Sequence, residues 1–323
     1  NLKQIGLGLL NYESANGAFP PGALAYFLNG DPRSTLYNNH GPSAHARILN
    51  YVEQAALFNA LNFSVSIFNA PAEDAMNLTV TATVLTTYLC PSSPSANWNF
   101  QGVNSPLTSL KAPGNSYFAS TGSTLEFAGQ QSNGPPNGPF QYVGTKGKIT
   151  TISSVSDGLS NTLAFGEWRI GSGLKNQNSI QDVVFVGSFP AGTKRNNGTL
   201  NMPNPALVAS FQNWLNDCTA TWASGGGRQG KTPTLGEAWA LGLTGYTLGN
   251  VLLPPNPRSP NCNTATGGIE NPGVFGLSSY HSGGANILLL DGSVRFLKDS
   301  TAQPTVWSLG SIAQGEILSA DGY

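Results

Sequence analysis

The sequence predicts an α+β fold built as one elaborated domain, and three observations carry that expectation. Residues 1–15, NLKQIGLGLLNYESA, set apolar side chains at helical spacing. Beyond Cys90, short β-rich runs alternate with Gly, Pro and Asn clusters. Near the end of the chain, two extended runs are joined by Asp291-Gly292.

In the first segment Leu2, Ile5, Leu9 and Tyr12 share one face, with Lys3, Asn11 and Glu13 elsewhere. No capping signal precedes Leu2, so the pattern predicts the end of a helix that began upstream, and Gly6 and Gly8 weaken it as an isolated element. Asn16-Gly17 followed by Phe19-Pro20-Pro21-Gly22 terminates it, because proline cannot continue the ladder. A second helix is predicted over 44–60, with Ile48, Val52, Ala55 and Leu57 or Phe58 inward, and a third over 72–84. After Cys90-Pro91 the runs 116–119, 140–143, 162–165 and 183–186 read as strands, and 205–217 as a further helix. Residues 223–273 are loop-rich, with too few apolar residues for a separate domain. The final runs, 285–290 and 293–297, form a hairpin because both positions of an Asp-Gly turn favour positive φ. Ile287 and Leu289 alternate with Leu288 and Leu290, so both faces of the first strand are apolar and it belongs inside a sheet.

Composition narrows the function classes. The 323 residues are 39% hydrophobic, enough for a sizeable core. Charged residues are only 10%, against about 25% in ordinary soluble domains. Fifteen basic and sixteen acidic side chains leave a net charge of −1, which provides no field for nucleic acid or anionic lipid and excludes polyanion binding as the main role. A nearly uncharged, Asn/Ser/Thr-rich surface suits a protein that works outside the cell or packs against copies of itself. No apolar run approaches the roughly 18 residues that span a bilayer. Residue 1 is neither Met nor the start of a signal peptide, and the expectation is that a segment precedes Asn1.

Cys90, Cys218 and Cys262 include no C-x2-C pair and match neither a closed disulfide framework nor a metal site. In an oxidising compartment Cys218 pairs with Cys262, since both lie in polar, turn-rich sequence and the bridge pins a long Gly/Pro-rich excursion. Three buried thiols are the alternative.

Four segments occur in a telling order: NLKQIGLGLLNYESANGAFPPG at 1–22, CPSSP at 90–94, SDGLSNTLAFGE at 156–167 and HSGGANILLLDGSVRFL at 281–297. With them the chain resembles a large family of bacterial pilin-like proteins that carry a prepilin-type cleavage and methylation amino terminus and a carboxyl-terminal His-x9-Asp-Gly motif. His281, Asp291 and Gly292 fit that motif in full, and Gly315-Glu316 resembles the family's closing run. The resemblance implies a pilin-like fold in which residues 1–15 end a longer apolar helix and residues 16–323 form one globular head, with 168–273 as a variable insertion. It implies export as a prepilin, inner-membrane anchoring only through the upstream helix, and assembly into an extracellular or cell-surface homopolymer by type IV pilus or type II secretion-like machinery. Leu2, Ile5, Leu9 and Tyr12 would then belong to the assembly helix. Family members commonly carry a Cys just before the Asn-Leu-Lys-Gln segment, which would supply Cys90 with a partner. The alternative is a membrane-anchored, pseudopilin-like secretion-accessory protein that holds a partner or polysaccharide with the 168–273 insertion.

The polar motifs each have two readings. As an acid/base or metal pair, His281 and Asp291 are separated by up to roughly 30 Å of extended chain, and one His with one carboxylate is too few ligands for zinc; structural hydrogen bonding or recognition during assembly remains. Asp157, Asn161 and Glu167 read as loop caps; the resemblance implies calcium binding as the alternative, the one cofactor expected, since related pseudopilin heads can bind calcium near the loops of their sheet. Gly225 to Thr232 satisfies the phosphate-loop pattern, but the polar stretch before it and Pro233 after it deny the strand and helix that a phosphate cradle needs, so an NTPase built on Lys231 is a remote reading. No G-x-S-x-G, H-E-x-x-H or C-x-x-C appears, and no catalytic residues are assigned: the expectation is a non-enzyme. Sequons at Asn62, Asn77 and Asn197 are candidate glycan acceptors, alongside O-linked sugar on Ser/Thr loops.

Overall fold

Helix α1, Leu2–Asn16, buries Leu2, Ile5 and Leu9 together with Gly6 and Gly8. The two glycines that weaken an isolated helix are the points of contact. A Cβ on Gly6 would stand 2.7 Å from Leu288 Cδ1, and one on Gly8 2.5 Å from Val52 Cγ1. Close backbone approach therefore offsets a propensity cost of about 1 kcal/mol per glycine. Tyr12 is half-buried, packing edge-on against Tyr51 with ring centroids 5.9 Å apart. The computed structural model describes residues 1–24, 26–27, 37–38, 40–68, 71–101, 106–126, 136–143, 148–174, 179–194, 200–225, 233–265, 269 and 271–316.

The helix predicted over 44–60 is three pieces: α2, Ala44–Arg47, a 3-10 turn at Leu49–Tyr51, and α3, Ala55–Ala60. The chain breaks at Glu53, which has φ 61° and cannot continue a right-handed helix. Ile48 and Val52 are buried as the periodicity requires, whereas Ala55 is exposed and Leu57 and Phe58 are only half-buried. Helix α4 is Pro71–Thr81. Strands β1, Tyr117–Ser120, β2, Leu163–Glu167, and β3, Val183–Phe185, precede helix α5, Val208–Ala223. Strands β4, Leu248–Gly249, β5, Asn261–Asn263, β6, Gly273–Val274, β7, Gly284–Leu289, and β8, Val294–Lys298, follow, then helix α6, Gln303–Gly310. The predicted 140–143 run supplies only a two-residue parallel ladder, Tyr142–Val143 against Ala23–Leu24.

The main sheet runs β8-β7-β2-β1-β4, antiparallel except for the last pair. β7 is interior, with Leu288 opposite Val294 on one side and Phe165 on the other, and Ile287, Leu288 and Leu289 are fully buried. Tyr117 pairs with Glu167 across β1 and β2, which brings the β2 carboxyl end beside the start of β7. This α+β arrangement matches the expectation.

The 168–273 region is not an appendage. Leu235, Trp239, Leu241, Leu243 and Val251 share the core that holds Ile5 and Leu288, and β4 is a strand of the main sheet. A second core gathers Phe211, Trp214 and Leu215 of α5, Val184 of β3, Val274 of β6 and Trp307 of α6. A Cys218–Cys262 disulfide crosses it, with Cα atoms 6.0 Å apart. Helix α5 continues past the predicted 217 to Ala223, with Cys218 on its buried face. Among the described residues, no helix is long and apolar enough to cross a membrane.

Candidate functional site

The carboxyl end of β2 places a carboxylate where three segments meet. Glu167 is 3% exposed, and its Oε2 accepts from the Asn286 backbone N at 2.8 Å and from Asn286 Nδ2 at 3.1 Å. That fixes the carboxyl group and leaves Oε1 3.5 Å from His281 Nε2. His281 lies just before β7, its backbone N donating to Ser279 Oγ at 3.0 Å. The same Nε2 is 3.7 Å from Sγ of Cys90, which is free of any disulfide and 7% exposed.

Cys90 follows the 3-10 turn Thr86–Tyr88, and the start of α1 ties that turn down. Asn1 Nδ2 donates to Thr86 O at 2.9 Å and to Leu89 O at 2.6 Å. Burial pushes the Cys90 thiol up, the Glu167 charge adds to the shift, and a bond involving the Ser92 backbone opposes it. Burial likewise raises the Tyr117 hydroxyl, with Cys90 and Glu167 adding to it. The cluster opens into a cleft of about 360 Å³ whose wall includes Lys3, Ser92 and Val294. A thiol raised in this way is not an activated nucleophile. What the group offers is three dissimilar donor atoms, all within 4.8 Å of one another.

The structure regroups the motif residues. Asp291 does not meet His281, since β7 separates them. It is exposed in the hairpin turn, accepting from the Ser293 N at 2.8 Å and Oγ at 2.6 Å, while Gly292 takes φ 80°. Asp157, Asn161 and Glu167 do not converge either. Asp157 Oδ2 accepts from Ser311 Oγ at 2.7 Å and the Gln314 N at 2.9 Å, and Oδ1 from the Gly315 N at 2.8 Å. Asn161 Nδ2 donates to the Asp157 carbonyl at 3.1 Å, whereas Glu167 closes the far end of β2. These three side chains form no common calcium cage, because Asp157 and Asn161 precede β2 and Glu167 closes its other end.

Burial bears on two further groups of residues. Leu2, Ile5 and Leu9 are consumed by the core of the head itself, and the outward face of α1 is Lys3, Leu7 and Asn11, with Leu7 61% exposed. Asn77 is buried, its Nδ2 donating to the Asn62 carbonyl at 3.1 Å and its Oδ1 accepting from the Asn62 N at 2.8 Å, so its amide is closed to a glycan in the folded chain. Asn62 is exposed. Asn197 and residues 226–232, including Lys231, lie outside the described residues. Sequence reading missed the Cys90–Glu167–His281 cluster because Cys90 and His281 stand 191 positions apart; the lone unpaired cysteine was the only signal.

A family model described as "Protein of unknown function (DUF1559)" matches residues 1–304. No curated protein and no solved structure matches the chain.

Proposed function

The chain belongs to this family of proteins of unknown function, DUF1559, and on that premise we propose that it is the head of a pilin-like subunit, exported as a prepilin and assembled into a cell-surface filament through its amino-terminal helix. One observation carries the reading: α1 is two-sided. Its inner stripe locks it to β7 and to Val52, while its outer stripe presents Leu7 between Lys3 and Asn11. The Asn1 carbonyl already accepts from the Ile5 N at 2.9 Å, and no side chain caps this first turn. In this reading the ladder continues upstream into the apolar helix of about 20 residues that a membrane anchor and filament core require. The nearly neutral surface supports close packing of copies. Immunogold electron microscopy of purified cell-surface fibres tests it: labelling along the fibre is expected, and fibres that never contain the chain sink the reading. Leu7→Glu is expected to lower incorporation at least tenfold while the melting temperature of the head stays unchanged.

A second reading, a membrane-anchored head that holds polysaccharide, is favoured by one feature. A cleft of about 440 Å³ brings Trp98 and Tyr280 together with Asn97, Ser172 and Gln181, apolar rings beside amides and hydroxyls. Titration calorimetry with cell-surface polysaccharide fragments separates the two, since Trp98→Ala abolishes heat only if this cleft binds sugar.

A further inference from the structure

We propose that Cys90, Glu167 and His281 form a zinc site, with the fourth coordination position facing the cleft. The inference is independent of whether the chain assembles into a filament. Ligand type comes first: a thiolate, an imidazole nitrogen and a carboxylate oxygen together favour a borderline-soft dication such as Zn²⁺ over Ca²⁺ or Mg²⁺, which take oxygen. Spacing comes second. Zn–S of about 2.3 Å and Zn–N and Zn–O of about 2.1 Å at a tetrahedral angle place sulfur and nitrogen about 3.6 Å apart, and nitrogen and oxygen about 3.4 Å apart. The structure has 3.7 Å for Cys90 Sγ to His281 Nε2 and 3.5 Å for His281 Nε2 to Glu167 Oε1. The third edge lies within 4.8 Å and closes by about 1 Å at most on binding.

Support for the ligands comes third. Asn286 holds Oε2 of Glu167 with two hydrogen bonds, so Oε1 is the oxygen left to ligate, and the Ser279 hydroxyl accepts from the His281 N and steadies the turn that carries the ring. Such outer partners orient ligands in metal sites. The charges also favour it: a thiolate beside a carboxylate is a like-charge pair, and a dication between them makes both contacts attractive. Binding replaces the S–H bond of Cys90 by S–Zn and releases one proton to solvent. The remaining position opens to the cleft beside Ser92 and Lys3, where a water or an anionic group completes the tetrahedron.

The test uses the purified full chain with Zn²⁺ and Co²⁺. One zinc per chain is expected by calorimetry, and cobalt is expected to show a near-ultraviolet thiolate-to-metal band with the visible bands of four-coordination. Cys90→Ser is expected to remove that band and weaken zinc at least 100-fold. Asn286→Leu is expected to weaken zinc by about 10- to 100-fold, as for other second-layer partners. Should a variant fold poorly, the wild-type chain still decides: zinc is expected to slow alkylation of Cys90 at least tenfold. The proposal is overturned by cobalt bound without the thiolate band, by Cys90→Ser binding zinc like wild type, by alkylation indifferent to zinc, or by a Cys90 found fully oxidised in the chain isolated from its native cell.

Discussion

Asp157 precedes β2 and Glu167 closes it, so one short segment carries a carboxylate at each end of an interior strand. At the Asp157 end both oxygens are filled by donors from the 311–315 segment, Ser311, Gln314 and Gly315. At the Glu167 end one oxygen is held by Asn286 and the other faces an imidazole and a thiol at a cleft. The first arrangement has both oxygens engaged and serves to latch the 311–315 segment. The second is held in place but incompletely satisfied, which is what a binding group requires. A carboxylate's role is set by how many of its acceptor positions the fold has already used.

The largest expected effect lies between those ends. His45 is fully buried under the sheet, its Nε2 donating to the Tyr117 carbonyl at 2.7 Å and its ring set edge-on to Phe165 at 5.1 Å. Burial lowers its pKa from 6.5 to about 4, with the Tyr117 bond opposing. The unfolded chain binds this proton below pH 6.5 and the folded chain only near 4, so the stabilising contribution is complete above 6.5 and is lost as pH falls towards 4. The loss is about 3 kcal/mol, measured by urea unfolding across that window. Stability that stays flat there contradicts a buried neutral His45.

Next, Asp157→Ala is expected to cost about 2 kcal/mol by removing charge-assisted acceptors, with faster amide exchange at Gln314 and Gly315. Glu167→Gln keeps the shape and the Asn286 contact, and about 1 kcal/mol is expected from the same unfolding assay. If Glu167→Gln proves costlier than Asp157→Ala, the contrast between latch and binding end is broken. The smallest effect is expected at Asp291, where Asn serves the same turn: Asp291→Asn should shift stability by less than about 0.5 kcal/mol. A loss several times larger would give the His-x9-Asp-Gly aspartate a role beyond its turn.

Much of this was legible where the signal is local. The stripe of Leu2, Ile5 and Leu9, the terminal hairpin and the two-faced apolar run of β7 are written in neighbouring residues, and each forms as read, except that the turn spans Leu290 to Gly292 and only Gly292 of the Asp-Gly pair takes a positive φ. The Cys218–Cys262 bridge was legible from composition and context. The 44–60 helix was misjudged because periodicity carries no trace of the positive φ at Glu53. Reading Gly6 and Gly8 as liabilities missed that a backbone surface was needed against Leu288 and Val52. The separation of His281 from Asp291 was legible because strand residues are carried apart at about 3.3 Å each, whereas grouping Asp157 with Glu167 by proximity in the chain fails for the same reason, since β2 sets them at opposite ends.

By itself the sequence determined the kind of molecule: α+β, nearly uncharged, with a terminal helix, a terminal hairpin and one cysteine left over. Those properties depend on composition and on contacts a few residues long. Only the tertiary structure decided that the leftover Cys90 meets Glu167 and His281, because that meeting needs the register of β1 on β2 and of β2 on β7, together with Asn1 binding the turn before Cys90. Register is a cooperative property of the whole sheet, and no local pattern encodes which side chains it brings to one end.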